Sequence, residues 1–157
     1  MKIIITGALG HIGSKLIREI PKSFPDAEII LIDNLHTQRY GSLFNLPNRS
    51  RIRFLQADVL TKDLDSVFDG VSVVIHLAAI IETSTNVEDN LKNQQSNFLA
   101  VQRVSNACVR SGTALIFPST TSVYAVTREL IDESFLVHEE KLVNPYFKFK
   151  RLTAVET

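Results

Sequence analysis

The chain has no tryptophan and a single cysteine, Cys108, so no disulfide can form within it and its fold must rest on packing. It has no surplus charge of either sign. Lys plus Arg and Asp plus Glu both count 17, which removes any global attraction to nucleic acid or to an anionic membrane surface. Long apolar runs are missing as well: Met1–Gly7 is too short for a signal-peptide core or a membrane span, and the expected location is cytoplasmic. His11, His36, His76 and His138 fall on different segments without metal-ligand spacing, so no metal is expected. Repeats and low-complexity tracts are absent, and the sequon Asn48-Arg49-Ser50 would matter only in a secreted protein.

What is present suffices for a packed core: 157 residues, of which 45% are hydrophobic, make one domain's worth of chain. Short β-branched runs alternate with longer segments at helical spacing, the pattern of βαβ units around a parallel sheet. Lys2–Thr6 is almost wholly apolar, as a central strand buried on both faces must be. A helix follows Gly7, with Ile12, Leu16, Ile17 and Ile20 on its apolar face and Pro21 expected to stop it. Further strands are expected at Glu28–Asp33, Arg51–Gln56, Val71–Leu77 and Ala114–Pro118, with a short helix over Asp63–Phe68. The longest helical pattern runs from about Glu88 to Arg110, with Phe98, Val101, Val104 and Cys108 in one stripe and Gly112 as its cap. Two long connections, Asn34–Ser50 and Ala125–Asn144, are where ligand contacts are expected, and Pro145 is placed to open a final helix. The Glu139-Glu140-Lys141 cluster reads as a solvated surface. His76, at a buried strand end, reads as a packed, hydrogen-bonded histidine, and Cys108 as core.

The segment Thr6-Gly7-Ala8-Leu9-Gly10-His11-Ile12-Gly13 follows the first strand and opens the first helix. Its glycines allow a tight turn and let a pyrophosphate approach the helix N-terminus, where unpaired N–H groups and the positive dipole end favour an anion. Asp33 ends the second strand about 20 residues past the last glycine, where a carboxylate accepts hydrogen bonds from an adenosine ribose and repels a 2′-phosphate. NAD is therefore expected in preference to NADP.

Together these residues resemble the cofactor fingerprint of the extended short-chain dehydrogenase/reductases, the NAD-dependent epimerase/dehydratase group. The resemblance continues in order along the chain. Asp33-Asn34-Leu35 is similar to the family's ribose-binding turn, Asp58-Val59 to its adenine-side contact, and His76-Leu77-Ala78-Ala79 to the cofactor-lining end of its fourth strand. Asn97 matches the family's asparagine near the active site, and Pro118–Tyr124 resembles the segment carrying the catalytic hydroxyl, which falls on Thr120. Asn144–Lys150 contains the family's Tyr-x-x-x-Lys as Tyr146 and Lys150. The resemblance thus implies Thr120, Tyr146 and Lys150 as catalytic residues. The cofactor-binding set it implies is Gly7, Gly10, His11, Ile12, Gly13, Asp33, Asn34, Leu35, Asp58, Val59, Leu77, Ala78, Ala79, Asn97, Tyr146 and Lys150.

Tyrosine and lysine four residues apart sit one turn apart on a helix face, so the Lys150 ammonium can stabilise the Tyr146 phenolate and lower its pKa from about 10. Tyr146 then becomes a usable base for a substrate hydroxyl, with Thr120 orienting the same oxygen and the adjacent carbon giving hydride to the nicotinamide. In the family Lys150 also holds the nicotinamide ribose. Lys148, Lys150 and Arg151 form a small basic cluster that fits a nucleotide phosphate as well as it fits solvent.

Within the family, 4,6-dehydratases place Asp-Glu after the catalytic threonine; here Thr121 and Ser122 stand there, and neither supplies a carboxylate. The Asp33-Asn34-Leu35 turn with Arg39 and Asn45-Leu46 is more similar to the sugar-nucleotide epimerases than to steroid or flavonoid reductases of the group. The implied activity is therefore a nucleotide-sugar epimerase or a related dehydrogenase/reductase. A reductase of a non-sugar substrate, a non-catalytic NAD(P)-binding sensor, and an inactive fragment stand as alternatives. Two positions depart from the pattern: Ala125 replaces the glycine that commonly follows Val-Tyr, and Ile81 stands where 4-epimerases often carry lysine. The expected fold is α/β, a Rossmann-type doubly wound parallel sheet of about five strands. Residues 1–157 are expected to form the NAD(P)-binding domain, incomplete at its C-terminal side and without the substrate domain. The expected partners are a nucleotide sugar and, through the long helix and the Tyr-x-x-x-Lys helix, a second copy in a homodimer; nucleic acid and membrane are not expected.

Overall fold

A computed structural model describes residues 1–48, 51–81 and 86–118. Thr120, Tyr146 and Lys150, the connection Ala125–Asn144 and the helix expected from Pro145 lie outside the described residues. The elements in order are β1 (Lys2–Thr6), α1 (His11–Ser23), β2 (Glu28–Asp33), a 3₁₀ turn (Tyr40–Leu43), β3 (Arg51–Gln56), α2 (Leu64–Phe68), β4 (Val73–His76), α3 (Val87–Ser111) and β5 (Ala114–Ile116).

The described residues fall into two compact units. Residues Met1–Ala79 and Arg103–Pro118 form the first, which holds the whole sheet; Ile80–Gln102 belong to the second. The five strands are parallel in the order β3-β2-β1-β4-β5. Because the chain moves from β1 to one side and returns to its other side with β4, the strand order reverses at the β1–β4 boundary. Ligands bind outside the carboxyl ends of strands at such a reversal.

The sequence of β1 explains its central place: Ile3, Ile4 and Ile5 point to alternate faces and all are 2% exposed or less, which only a strand covered on both sides can tolerate. On one face Ile3 and Ile5 pack with Ile29 and Leu31 of β2, with Ile17 of α1, and with Ala8 and Leu9 of the glycine-rich turn. The turn is thus part of the core rather than a loop laid upon it. In the second half of α3, Val104, Ala107 and Cys108 are buried, and Arg103 donates to the carbonyls of Val59 (3.0 Å) and Lys62 (2.9 Å).

Several expectations need correction. Pro21 does not stop α1, which continues to Ser23 with Pro21 inside it and Phe24 N–H donating to Ile20 O at 2.8 Å. A proline in the last turn removes only its own N–H, and the residues after it keep their acceptors. Ile12 is not on the buried face: it is 59% exposed, while Leu16, Ile17 and Ile20 pack on the core. The strand expected over Val71–Leu77 is shorter, since Val71 N–H is taken by Phe68 O in a turn, and β5 ends at Ile116 rather than Pro118. The long helix begins at Val87 and ends at Ser111, one residue beyond each expected end, with Asn86 Oδ1 accepting from Glu88 N–H at 2.9 Å at its start. The connection Asn34–Ser50 contains a 3₁₀ turn that the sequence did not announce.

Candidate functional site

Thr6 ends β1 and His76 ends β4, and the two are register partners across the reversal. Their side chains meet: Thr6 Oγ1 lies 2.6 Å from His76 Nδ1, and the same hydroxyl oxygen accepts from Ala78 N–H at 3.3 Å. Both residues are fully buried, and the His76 ring stacks on Phe117 at 6.0 Å, which bears out the reading of His76 as a packed histidine.

Immediately after Thr6 the chain turns through Gly7 at φ +63°, a left-handed conformation that glycine adopts without cost. Glycine is required there for a second reason. A Cβ on Gly7 would stand 2.6 Å from the Ala78 nitrogen, so the turn and the Leu77-Ala78 backbone cross with no room for a side chain. Gly13 serves the opposite wall of the turn, where a Cβ would stand 2.5 Å from the carbonyl oxygens of both Gly7 and Ala8.

The backbone N–H groups of the turn divide into two sets. Ala8 N–H donates to Ile32 O (3.3 Å), Leu9 N–H to Asp33 Oδ2 (3.0 Å) and Gly10 N–H to Gly7 O (3.1 Å), which ties the turn to the end of β2. His11, Ile12 and Gly13 then open α1, and first-turn N–H groups have no partner inside a helix. Gly10, at the N-cap, has no side chain to serve them, and the first turn holds no acidic residue. Elsewhere the helix starts are filled by the protein itself: Asp63 caps α2 by accepting from Asp65 N–H at 3.2 Å, and α3 carries Glu88 and Asp89 in its first turn. A helix start left in this state can accept an anion.

Asp33 is half-buried, and its carboxylate is fixed at both oxygens, by Leu9 N–H at Oδ2 and by Leu35 N–H (2.9 Å) at Oδ1. Each oxygen retains a lone pair for a further donor. Asn34 and Asp58, expected in one site, do come together: Asn34 Nδ2 donates to Asp58 Oδ2 at 3.0 Å, while Asp58 Oδ1 accepts from Leu60 N–H at 2.8 Å. Leu35 is buried at φ +62°, an uncommon conformation for a residue with a branched side chain. Val59 is buried, and its carbonyl is held by Arg103.

In the second unit, Asn97 clasps a single residue at both ends. Its Oδ1 accepts from Ile80 N–H at 2.7 Å and its Nδ2 donates to Ile80 O at 2.8 Å, so the polar atoms of Asn97 are occupied by backbone.

Some contacts of the site carry no mark in the sequence. Arg39 Nη1 lies 2.6 Å from Nδ1 of His11, Ser42 Oγ donates to Leu9 O at 3.3 Å, and Arg18 Nη2 donates to Phe44 O at 3.0 Å. Together they bind the segment after β2 along α1. The composition of that segment, which has charged, aromatic and amide residues without strict period, gives no hint of where it docks. Among the described residues no group of His, Cys, Asp and Glu is placed to hold a metal ion.

The profile of the NAD dependent epimerase/dehydratase family matches residues 3–155. An uncharacterized UDP-glucose epimerase of Bacillus subtilis is 34% identical over 141 residues, 85% of this chain and 44% of that protein. Among solved structures, the UDP-N-acetylglucosamine 4-epimerase from Methanobrevibacter ruminantium in complex with UDP-N-acetylmuramic acid superposes with a TM-score of 0.82 at 27% identity, covering 99% of this chain and 48% of that one. The UDP-glucuronic acid 4-epimerase from Bacillus cereus in complex with UDP-glucuronic acid and NAD gives a TM-score of 0.80 at 27% identity, covering 99% and 50%. The chain therefore spans about half the length of the relatives it matches.

Proposed function

Since the chain belongs to the NAD dependent epimerase/dehydratase family, we propose that it binds NAD across the β1–β4 reversal and forms the cofactor-binding part, residues 1–157, of a nucleotide-sugar epimerase or a related sugar-nucleotide dehydrogenase/reductase. The observation that carries this reading is the uncapped start of α1 beside a turn with no room for side chains at Gly7 and Gly13. Backbone N–H groups of His11, Ile12 and Gly13 receive the pyrophosphate, beside an N-cap, Gly10, that carries no side chain. Asp33, already aimed by Leu9 and Leu35, accepts from the adenosine ribose hydroxyls through its remaining lone pairs and repels a 2′-phosphate. Asn34 and Leu35 complete the ribose-binding turn, and Asp58 and Val59 lie at the adenine side. Leu77, Ala78 and Ala79 line the other side of the reversal, and Asn97 acts through Ile80, whose backbone it holds.

When bound, the nicotinamide supplies a hydride acceptor and donor. The residues of the chain do the rest: Tyr146 takes the proton of a substrate hydroxyl, Lys150 keeps the phenolate charged and holds the ribose, and Thr120 fixes the hydroxyl oxygen. Thr121 and Ser122, following Thr120, carry no carboxylate, which favours epimerisation or simple redox chemistry over dehydration. A homodimer is supported by the apolar residues that α3 leaves exposed, Val87, Leu91, Leu99 and Val109. Among the described residues no helix is long and apolar enough to cross a membrane, and a cytoplasmic location completes the proposal.

The test supplies the whole protein with a panel of UDP-sugars and follows nicotinamide reduction and epimer formation. Turnover that disappears in Tyr146→Phe while NAD binding persists supports the reading. Binding of NAD with no turnover of any sugar favours the second reading, a dinucleotide-binding sensor, and unchanged turnover in Tyr146→Phe removes the tyrosine from its role.

A further inference from the structure

Arg39 presents a guanidinium to the first residue of α1. Its Nη1 is 2.6 Å from His11 Nδ1, and because arginine only donates, the ring nitrogen is the acceptor of this contact. The pair is exposed, yet Arg39 sits in a segment anchored before it, where Leu35 N–H donates to Asp33 Oδ1, and after it. Ser42 Oγ donates to Leu9 O, and Arg18 Nη2 reaches Phe44 O. Gln38, directly before Arg39, is held at φ +52°, and Leu35 and Asn45 flank the same stretch at φ +62° and +55°. Non-glycine residues in this region cost of order 1 kcal/mol each and persist where the surrounding contacts impose them.

Three other arginines of the first unit are spent on oxygen. Arg18 donates to the carbonyls of Ser14 and Phe44, Arg103 to those of Val59 and Lys62, and Arg110 forms a two-point pair with Asp65. Among the described residues Arg39 has no oxygen acceptor, and its Nε and Nη2 remain open for a planar two-point contact of the kind guanidinium makes with phosphate. His11 is at once the residue that holds Arg39 and the first residue of the uncapped helix start.

We infer that Arg39, positioned by His11, clasps a phosphate of the dinucleotide and adds a charge contact to the backbone N–H groups of α1. The inference rests on the proposed NAD site. It concerns phosphate chemistry, so both the pyrophosphate and a ribose 2′-phosphate are sources, and the ligand panel separates them.

The experiment measures dissociation constants of the full chain and of Arg39→Gln, Arg39→Lys and His11→Phe for NAD, NADP, ADP-ribose and adenosine, at several salt concentrations. Arg39→Gln should weaken NAD and ADP-ribose about tenfold, leave adenosine within about twofold, and flatten the salt dependence, whereas Arg39→Lys should restore the salt dependence and recover only part of the loss. His11→Phe should give a smaller loss with the same pattern across ligands, as a positioning residue would. Equal losses for NAD and NADP place the guanidinium on the pyrophosphate and support the clasp, whereas a loss for NADP alone places it on the 2′-phosphate and overturns a contact with NAD. Equal losses for adenosine and NAD would mean that the variant merely displaces the segment, and that result overturns the inference, as does unchanged NAD affinity or a lysine that recovers nothing. Failure of the wild-type chain to bind NAD at all is a different result: it removes the proposed NAD site and the clasp with it.

Discussion

Asp33 at the end of β2 and Leu9 in the turn after β1 are joined by a hydrogen bond of 3.0 Å from the Leu9 N–H to Asp33 Oδ2. The contact makes the carboxylate part of the turn as well as part of the proposed ribose site. Asp33→Ala should therefore act twice: it should lower the free energy of unfolding by about 2 kcal/mol, from two charge-assisted bonds lost, and weaken NAD binding. Chemical denaturation and a binding titration on the same variant check the two effects separately. A variant that loses affinity at full stability would show that the Leu9 contact carries no structural weight.

The glycines of the turn differ from others in the chain in what surrounds them. Gly7→Ala must place a Cβ 2.6 Å from the Ala78 backbone at a positive φ, and Gly13→Ala one at 2.5 Å from two carbonyl oxygens. Each should cost about 3 kcal/mol or prevent folding. Gly70→Ala, also at positive φ but with nothing within 4 Å of the new Cβ, should cost only about 1 kcal/mol. Thermal melts of the three variants rank them.

The sheet and its order of elements were legible because β-branched runs are the direct imprint of strands buried on both faces, and the glycine spacing with Asp33 marked the turn on which the proposed site is built. Less legible were features decided by tertiary contact. Ile12 falls in the apolar period of α1, yet it sits at the helix start and remains exposed where the core ends. Pro21 looks like a stop, but in a last turn it costs one hydrogen bond and is buried. Arg39 docks on His11 in a stretch with left-handed residues at Leu35, Gln38 and Asn45, none of which is glycine and only the last of which is a type that favours that conformation. Asn97 could be marked as a site residue from its place in the family pattern, but not that its side chain would be taken up by Ile80.

That clasp gives a local prediction. Asn97→Ala should raise the hydrogen-exchange rate of the Ile80 amide by an order of magnitude or more, since about 1.4 kcal/mol of lost protection is tenfold. Exchange at Ile30, in the middle of β2, should follow only the change in global stability. Equal protection of Ile80 in both proteins would mean that another acceptor holds it.

Burial pushes the Cys108 thiol up to about 11. A raised folded pKa means that the neutral thiol's contribution to stability is complete below the unfolded value near 9.0 and is lost as pH rises through about 11. Iodoacetamide at pH 8.5 should therefore leave Cys108 unmodified in the native chain and alkylate it readily in denaturant. Rapid native labelling would place the sulfur outside the core.

Whether the start of α1 and the Asp33 carboxylate together form an NAD site is read from a calorimetric titration of the chain with NAD and with NADP. The expected result is NAD bound at least about tenfold more tightly, a difference of about 1.4 kcal/mol, with the preference abolished in Asp33→Ala. Equal affinities, a reversed preference, or no binding of either dinucleotide would contradict it.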